Sequence, residues 1–141
     1  MLVTAIFDIG RTNKKFFLFD EDLREVHSDY VRIGEKEDED GFPCDDLDAI
    51  RSWMMGRVDS VLNHADHQLA AINFSTYGAT LVHLDESGDV VTPLYNYLKP
   101  FPEDLLERFF GEYGPAEEWT RRTASPTMGM LNSGLQLYWL K

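Results

Sequence analysis

Two apolar runs near the N-terminus, Val3–Phe7 and Phe16–Phe19, bracket a polar middle of Asp8, Gly10, Arg11, Thr12, Asn13, Lys14 and Lys15. Short β-branched and aromatic runs either side of a Gly/Asn turn predict a β-hairpin, its first strand buried on both faces. Leu23–Ile33 offers a third strand, and the short Asp20-Glu21-Asp22 turn before it predicts an antiparallel meander. Leu47, Ile50, Met54, Val58 and Val61 recur at helical spacing, with Trp53 and Leu62 widening the stripe. A helix over Asp45–Asn63 follows, capped by Asp45 or Asp46. Gln68–Ser75 reads as a buried strand and Thr80–Leu84 as another, followed by a turn at Glu86–Asp89 and a short Val90–Leu94 segment. Pro102–Phe110 predicts a brief helix, started by its proline and closed by Gly111. Asn132–Leu140 predicts a last helix, with Leu131, Leu135 and Tyr138 on one side and no stop signal before Lys141.

The resulting order is three strands, helix, strand, strand, then helices. That is an α/β class pattern, the one shown by an RNase H-like, actin-type ATPase half-domain. A length of 141 residues fits one domain with a single core. A chain that reaches its end inside a helix reads as cut, so residues 1–141 are expected to be the N-terminal part of a first lobe.

Charge narrows the partners. The formal net charge is −12, which disfavours nucleic acid and anionic membranes, since both call for a basic face. No apolar run approaches the ~20 residues of a membrane span, and no secretory signal is visible. A cytoplasmic location is the expectation. Cys44, the one cysteine, excludes an internal disulfide or a thiolate metal cluster and reads as a passive residue ahead of the helix. The run Glu35–Asp40 could bind a cation but reads as a solvated loop. His64 and His67, at the helix end, could share a metal; no carboxylate or cysteine completes that site, so neutralisation of the helix C-terminus is the better reading.

Against that acidic background, three of the thirteen Lys/Arg residues (Arg11, Lys14 and Lys15) fall in one turn. Asp8 ends the first strand, where side chains emerge at a sheet edge, and Gly10 allows close backbone approach. An acid able to hold Mg²⁺, a glycine turn, short donors from Thr12 and Asn13, and cations together make a phosphate cradle for a metal-bound nucleotide. A surface hairpin with an ordinary polar turn is the alternative. A second constellation, Thr76-Tyr77-Gly78-Ala79-Thr80, sets an aromatic and a glycine between two strands. A flat ring suits a sugar face; an ordinary hairpin turn is the rival reading.

Taken in order, these segments resemble the FGGY carbohydrate kinases, sugar-phosphorylating members of the actin/hexokinase superfamily. Asp8-x-Gly10-x-Thr12-Asn13-x-Lys15, with LFD after it, is similar to the family's first phosphate motif. The segment STYGATLVHLDESGDVVTP looks like its second strand pair, with Thr-Tyr-Gly similar to the Thr-Trp-Gly of rhamnulokinase-like members and Tyr-Gly-Ala-Thr to the His-Gly-Ala-Thr of xylulokinases. The run from Thr123 to Lys141 resembles the segment that closes in a Leu/Trp-Leu helix.

The resemblance implies ATP and Mg²⁺ as cofactors and a sugar or polyol as substrate, and leaves a homo-oligomer open. It would set Asp8 at the Mg²⁺ through water, and Gly10, Arg11, Thr12, Asn13 and Lys15 at the phosphates. Thr76, Tyr77, Gly78 and Tyr97 would fall on the sugar side. Arg11 stands where Thr, Ala or Ser is commoner, and Lys99 where many members carry Asp. The family's catalytic base lies beyond position 141, so the chain alone is expected to be inactive. Two rival functions remain: another ATPase of the superfamily, acetate-kinase-like or chaperone-like, and a non-catalytic binding or scaffold domain.

Overall fold

The computed structural model describes all 141 residues, which divide into two compact units. Met1–Lys36 with Asp45–Tyr77 forms the first, and Glu37–Cys44 with Gly78–Lys141 the second.

The first unit is built on a four-stranded sheet. Strand β1 (Leu2–Ile9) pairs antiparallel with β2 (Lys14–Phe19), and β2 pairs antiparallel with β3 (Glu25–Val31). After a short hairpin of β4 (Glu35–Glu37) and β5 (Pro43–Asp45), helix α1 (Leu47–Leu62) leads to β6 (Gln68–Thr76). β6 lies parallel to β1, so the sheet order is β3-β2-β1-β6.

The period-two alternation of β1 and β2 produces this core directly. Val3, Ala5 and Phe7 of β1 and Phe16 and Leu18 of β2 bury one face, packed with Val61 and flanked by Trp53, Met54 and Val58 of α1. Phe7 takes the edge of Trp53 at 5.4 Å between ring centroids. β1 is therefore covered on one face only. Thr4, Ile6 and Asp8 point the other way and are half-buried, which corrects the expectation of a strand buried on both sides. β6 differs more. It lies at the end of the strand order and pairs on one side only, and Ile72 and Phe74 stay 40% and 53% exposed, although Phe74 stacks on Phe7. Asp46 is the cap of α1, its carboxylate accepting from Ala49 N–H at 3.0 Å.

The second unit is organised on aromatic rings. Helix α2 (Glu103–Tyr113) runs past Gly111 and ends instead at Gly114, whose φ of 98° suits glycine. The extra turn brings Tyr113 beside Phe109, which also meets Trp119 of α3 (Ala116–Thr123) and Tyr138 of α4 (Ser133–Leu140). Helix α3 has no counterpart in the sequence expectations. Asn132 caps α4 by accepting from Gly134 and Leu135 N–H. The predicted strands over Thr80–Leu84 and Val90–Leu94 shrink to a single bridge between Leu84 and Val90. Asp85 closes the turn between them, accepting from Ser87 and Asp89 N–H at 2.8 and 2.9 Å. With the Asp85 side chain closing so small a turn, little ladder is needed.

Candidate functional site

The β1–β2 turn is tight for a definable reason. A Cβ on Gly10 would sit 2.8 Å from the Asn13 carbonyl oxygen, so the backbone folds back at a distance only glycine allows. Asp8 and Lys15 are register partners, and their charged atoms meet at 3.2 Å with each side chain about one-third exposed. Arg11 pairs with Glu35 at 3.1 Å, and Asn13 Oδ1 accepts from Arg32 Nε at 3.1 Å. Arg11, Thr12, Arg32, Ile33, Gly34 and Glu35 line a cavity of about 360 Å³ beside the turn. Two carboxylates (Asp8 and Glu35), exposed short donors and several cations thus gather at the end of β1.

As a metal site this set is specific in what it can hold. No group of three or more His, Cys, Asp or Glu converges anywhere in the chain, so no all-protein cage for a metal exists. Mg²⁺ does not need one: it keeps most of its waters and is held by one or two carboxylates plus phosphate oxygens. The partly exposed Asp8 fits that requirement.

Lys14 is the residue whose importance the sequence did not reveal. It is 0% exposed, and its Nζ donates to the Arg11 carbonyl at 2.8 Å and to Asp45 Oδ1 at 2.9 Å. The other carboxylate oxygen of Asp45 accepts from the Tyr77 hydroxyl. A buried ion pair thereby reaches from the phosphate-type turn to the proposed sugar-side aromatic. Two shorter links make the same connection: Tyr77 N–H donates to the Ile9 carbonyl at 3.3 Å, and the Thr76 hydroxyl donates to the same oxygen at 3.4 Å. A signal for Lys14 was present, since it shares its strand face with Phe16 and Leu18 and so points to the core.

Gly78 and Tyr97 belong to the second unit. Tyr97 sits half-buried in a turn held by Leu98 N–H donating to Asn96 Oδ1 and Lys99 N–H donating to the Asn96 carbonyl, both at 2.9 Å. Lys99 is buried, with Asp38 at 2.6 Å and Asp40 at 2.8 Å, and lies 5.1 Å from the ring centres of both Tyr95 and Trp139. Burial alone would raise the Asp38 pKa, but hydrogen bonds from Lys99 and from the Phe42 and Asp40 amides outweigh it and hold the carboxyl below its usual value. Burial lowers Lys99 and its two aspartates more than reverse this, leaving it raised. The Tyr95 phenol is pushed up by burial and by Glu39, which accepts its hydroxyl hydrogen bond. The Glu35–Asp40 run is therefore not a plain solvated loop, because Asp38 is an interior counter-ion. His64 and His67 stack at 3.9 Å, and burial together with the His64 charge lowers the His67 pKa. That shift works against the expected role of a cation at the helix end.

Cys44 is free and buried, and no helix is long and apolar enough to cross a membrane. No curated protein matches the chain in sequence. Among solved structures, xylulose kinase from Lactobacillus acidophilus superposes with a TM-score of 0.80 at 20% identity over 99% of this chain. A carbohydrate kinase from Novosphingobium aromaticivorans gives 0.78 at 29% identity over 97%. Plasmodium falciparum glycerol kinase with ADP gives 0.78 at 21% identity over 99%. In each case the chain spans 28% of the length of the other protein. Their likeness fixes the fold as the α/β fold of the N-terminal part of these kinases. The model of the FGGY carbohydrate kinase N-terminal domain matches residues 3–141, nearly the whole length, and the chain belongs to the FGGY family of carbohydrate kinases.

Proposed function

We propose that this chain is the N-terminal part of the first lobe of a kinase that moves the γ-phosphoryl group of ATP to a hydroxyl of a sugar or polyol. The observation that carries this is the turn at the end of β1, where Asp8, Gly10 and Lys15 lie beside Ile9, whose carbonyl accepts from the Thr76 hydroxyl and the Tyr77 N–H. A phosphate-type loop and a candidate acceptor ring share one strand end. Structural neighbours named for xylulose, gluconate and glycerol all carry polyhydroxy acceptors in their names, and one is described with ADP.

In this reading Asp8 would hold Mg²⁺, and the Gly10–Asn13 backbone would offer its donors to the β- and γ-phosphates. Lys15 and Arg11 bring positive charge to the same oxygens. Thr76 and Tyr77 contact the acceptor. Mg²⁺, when bound, would offset negative charge on the phosphates. Phosphoryl transfer depends chiefly on such positioning and charge stabilisation. The residue that takes the acceptor hydroxyl proton is not assigned within residues 1–141, and the enzyme acts in the cytoplasm.

ADP release by the protein that carries this segment, measured across a panel of pentoses, hexoses and polyols, tests the proposal. One acceptor raising the rate at least tenfold over solvent supports it. Release indifferent to every acceptor points to another ATPase of the superfamily, and no release with folded protein points to a binding domain.

A further inference from the structure

Lys14 and Asp45 have no place in the phosphate motif, yet they are the most enclosed charges of the first unit. Lys14 is 0% exposed and Asp45 8%. Charges are seldom taken so far from water unless each is paired and hydrogen-bonded. Here the pairing is directional at both ends. Lys14 Nζ divides its donors between the Arg11 carbonyl, inside the turn, and Asp45 Oδ1. Asp45 divides its acceptors between Lys14 and the Tyr77 hydroxyl. Asp45 also lies at the end of β5, immediately before the Asp46 cap of α1, so the helix start fixes its backbone.

The consequence is a two-side-chain strut between the turn and the tyrosine. The bonds from the Thr76 hydroxyl and the Tyr77 N–H to the Ile9 carbonyl fix where the tyrosine leaves β6, but they do not fix its side-chain torsions. A tyrosine side chain has several staggered rotamers open to it. The bond to Asp45 favours the one observed, and Lys14 holds Asp45 in place. Tyr77 is half-buried, so part of it stays open to a ligand.

We propose that Lys14 and Asp45 are positioning residues for the acceptor: through the Tyr77 hydroxyl they lock the ring in one orientation relative to the phosphate turn. This rests on the sugar-kinase reading given above. It adds that recognition of the acceptor depends on an ion pair touching neither substrate. A pre-oriented ring loses no rotamer freedom when the acceptor arrives, whereas a free one must be ordered by binding.

Tyr77→Phe is the decisive variant, because it keeps the ring and leaves the Lys14–Asp45 pair intact while removing the tether. In the sugar-dependent ADP-release assay it is expected to raise the acceptor KM about tenfold, to leave the ATP KM within twofold, and to change kcat less than threefold. Asp45→Asn loosens both ends of the strut, so it is expected to raise the KM for acceptor and for ATP together. If Asp45→Asn fails to fold, Tyr77→Phe alone decides. A strut serving stability only would lower the melting temperature and leave both KM values unchanged, and that pattern overturns the proposal. Sugar-dependent release with an acceptor KM unmoved by Tyr77→Phe also overturns it. The absence of any sugar-dependent release in the unsubstituted protein overturns the kinase reading itself, and this proposal with it.

Discussion

Asp45→Ala removes the counter-ion of a fully buried lysine, and its cost can be worked from the contacts. The substitution deletes the 2.9 Å bond from Lys14 Nζ and the bond from the Tyr77 hydroxyl. Lys14 is left with the Arg11 carbonyl, which accepts a hydrogen bond but carries no formal charge. Hydrogen bonds to charged groups contribute about 1.5–3 kcal/mol each, and breaking a buried pair by deleting one partner costs about 3–5 kcal/mol. With each kcal/mol moving the melting temperature of a domain this size by about 3–4 °C, the expected fall is about 10–20 °C. Urea denaturation followed by hydrogen exchange at the β1 and β2 amides reads the first unit specifically. Lys14→Met should cost about 3 kcal/mol, since Asp45 then keeps only Tyr77, and Lys14→Met/Asp45→Ala should cost less than the sum of the two by more than ~1 kcal/mol. A loss below ~1 kcal/mol for Asp45→Ala, or strict additivity, would refute the buried-strut account.

Two further outcomes follow from particular contacts. Gly10→Ala brings a methyl to 2.8 Å from the Asn13 carbonyl, so the turn must shift; a loss of about 1–3 kcal/mol in stability is expected, with ATP KM rising together with it, and unchanged kinetics would show that the turn has slack. The pKa of Asp38 is lowered from 3.8 in the fold, so its stabilisation is present above that value and is lost as pH falls through the lower folded value. Lys99 is raised from 10.5, so its share is present below that pH and fades as pH rises through the higher folded value. Asp38→Asn should therefore flatten the acid limb of the stability curve below about pH 4, and an unchanged limb in calorimetry would remove Asp38 from the account.

What the sequence made legible is the part governed by local pattern. The apolar runs Val3–Phe7 and Phe16–Phe19 located β1 and β2, the stripe from Leu47 to Val61 located α1, and Asp46, one of the two expected caps, caps it. The features that escaped depend on partners distant in the chain. Lys14 and Asp45 are 31 residues apart, and Lys99 and Asp38 are 61 apart, so neither pairing leaves a local mark. The exposure of Ile72 and Phe74 follows from the place of β6 in the strand order, which composition does not encode. Helix α3, AEEWTRRT, offers little apolar periodicity beyond Trp119, and its docking depends on the Phe109 ring of another helix. In the candidate site, the order Asp8, Gly10, Lys15 and then Tyr77 was legible as a motif. The charge pairing of Asp8 with Lys15 and the tether on Tyr77 were not, because both depend on how strands register.

The central claim is that the end of β1 faces the phosphates of ATP, and Asp8→Ala tests it most directly. Asp8 is a partly exposed side chain whose ion-pair partner, Lys15, is partly exposed as well, so its removal is expected to cost less than ~1 kcal/mol of stability. Sugar-dependent ADP release, measured at saturating acceptor in the protein that carries this segment, should fall at least a hundredfold while circular dichroism and the melting temperature stay close to those of the unsubstituted protein. Substantial release from a folded Asp8→Ala protein would contradict the account.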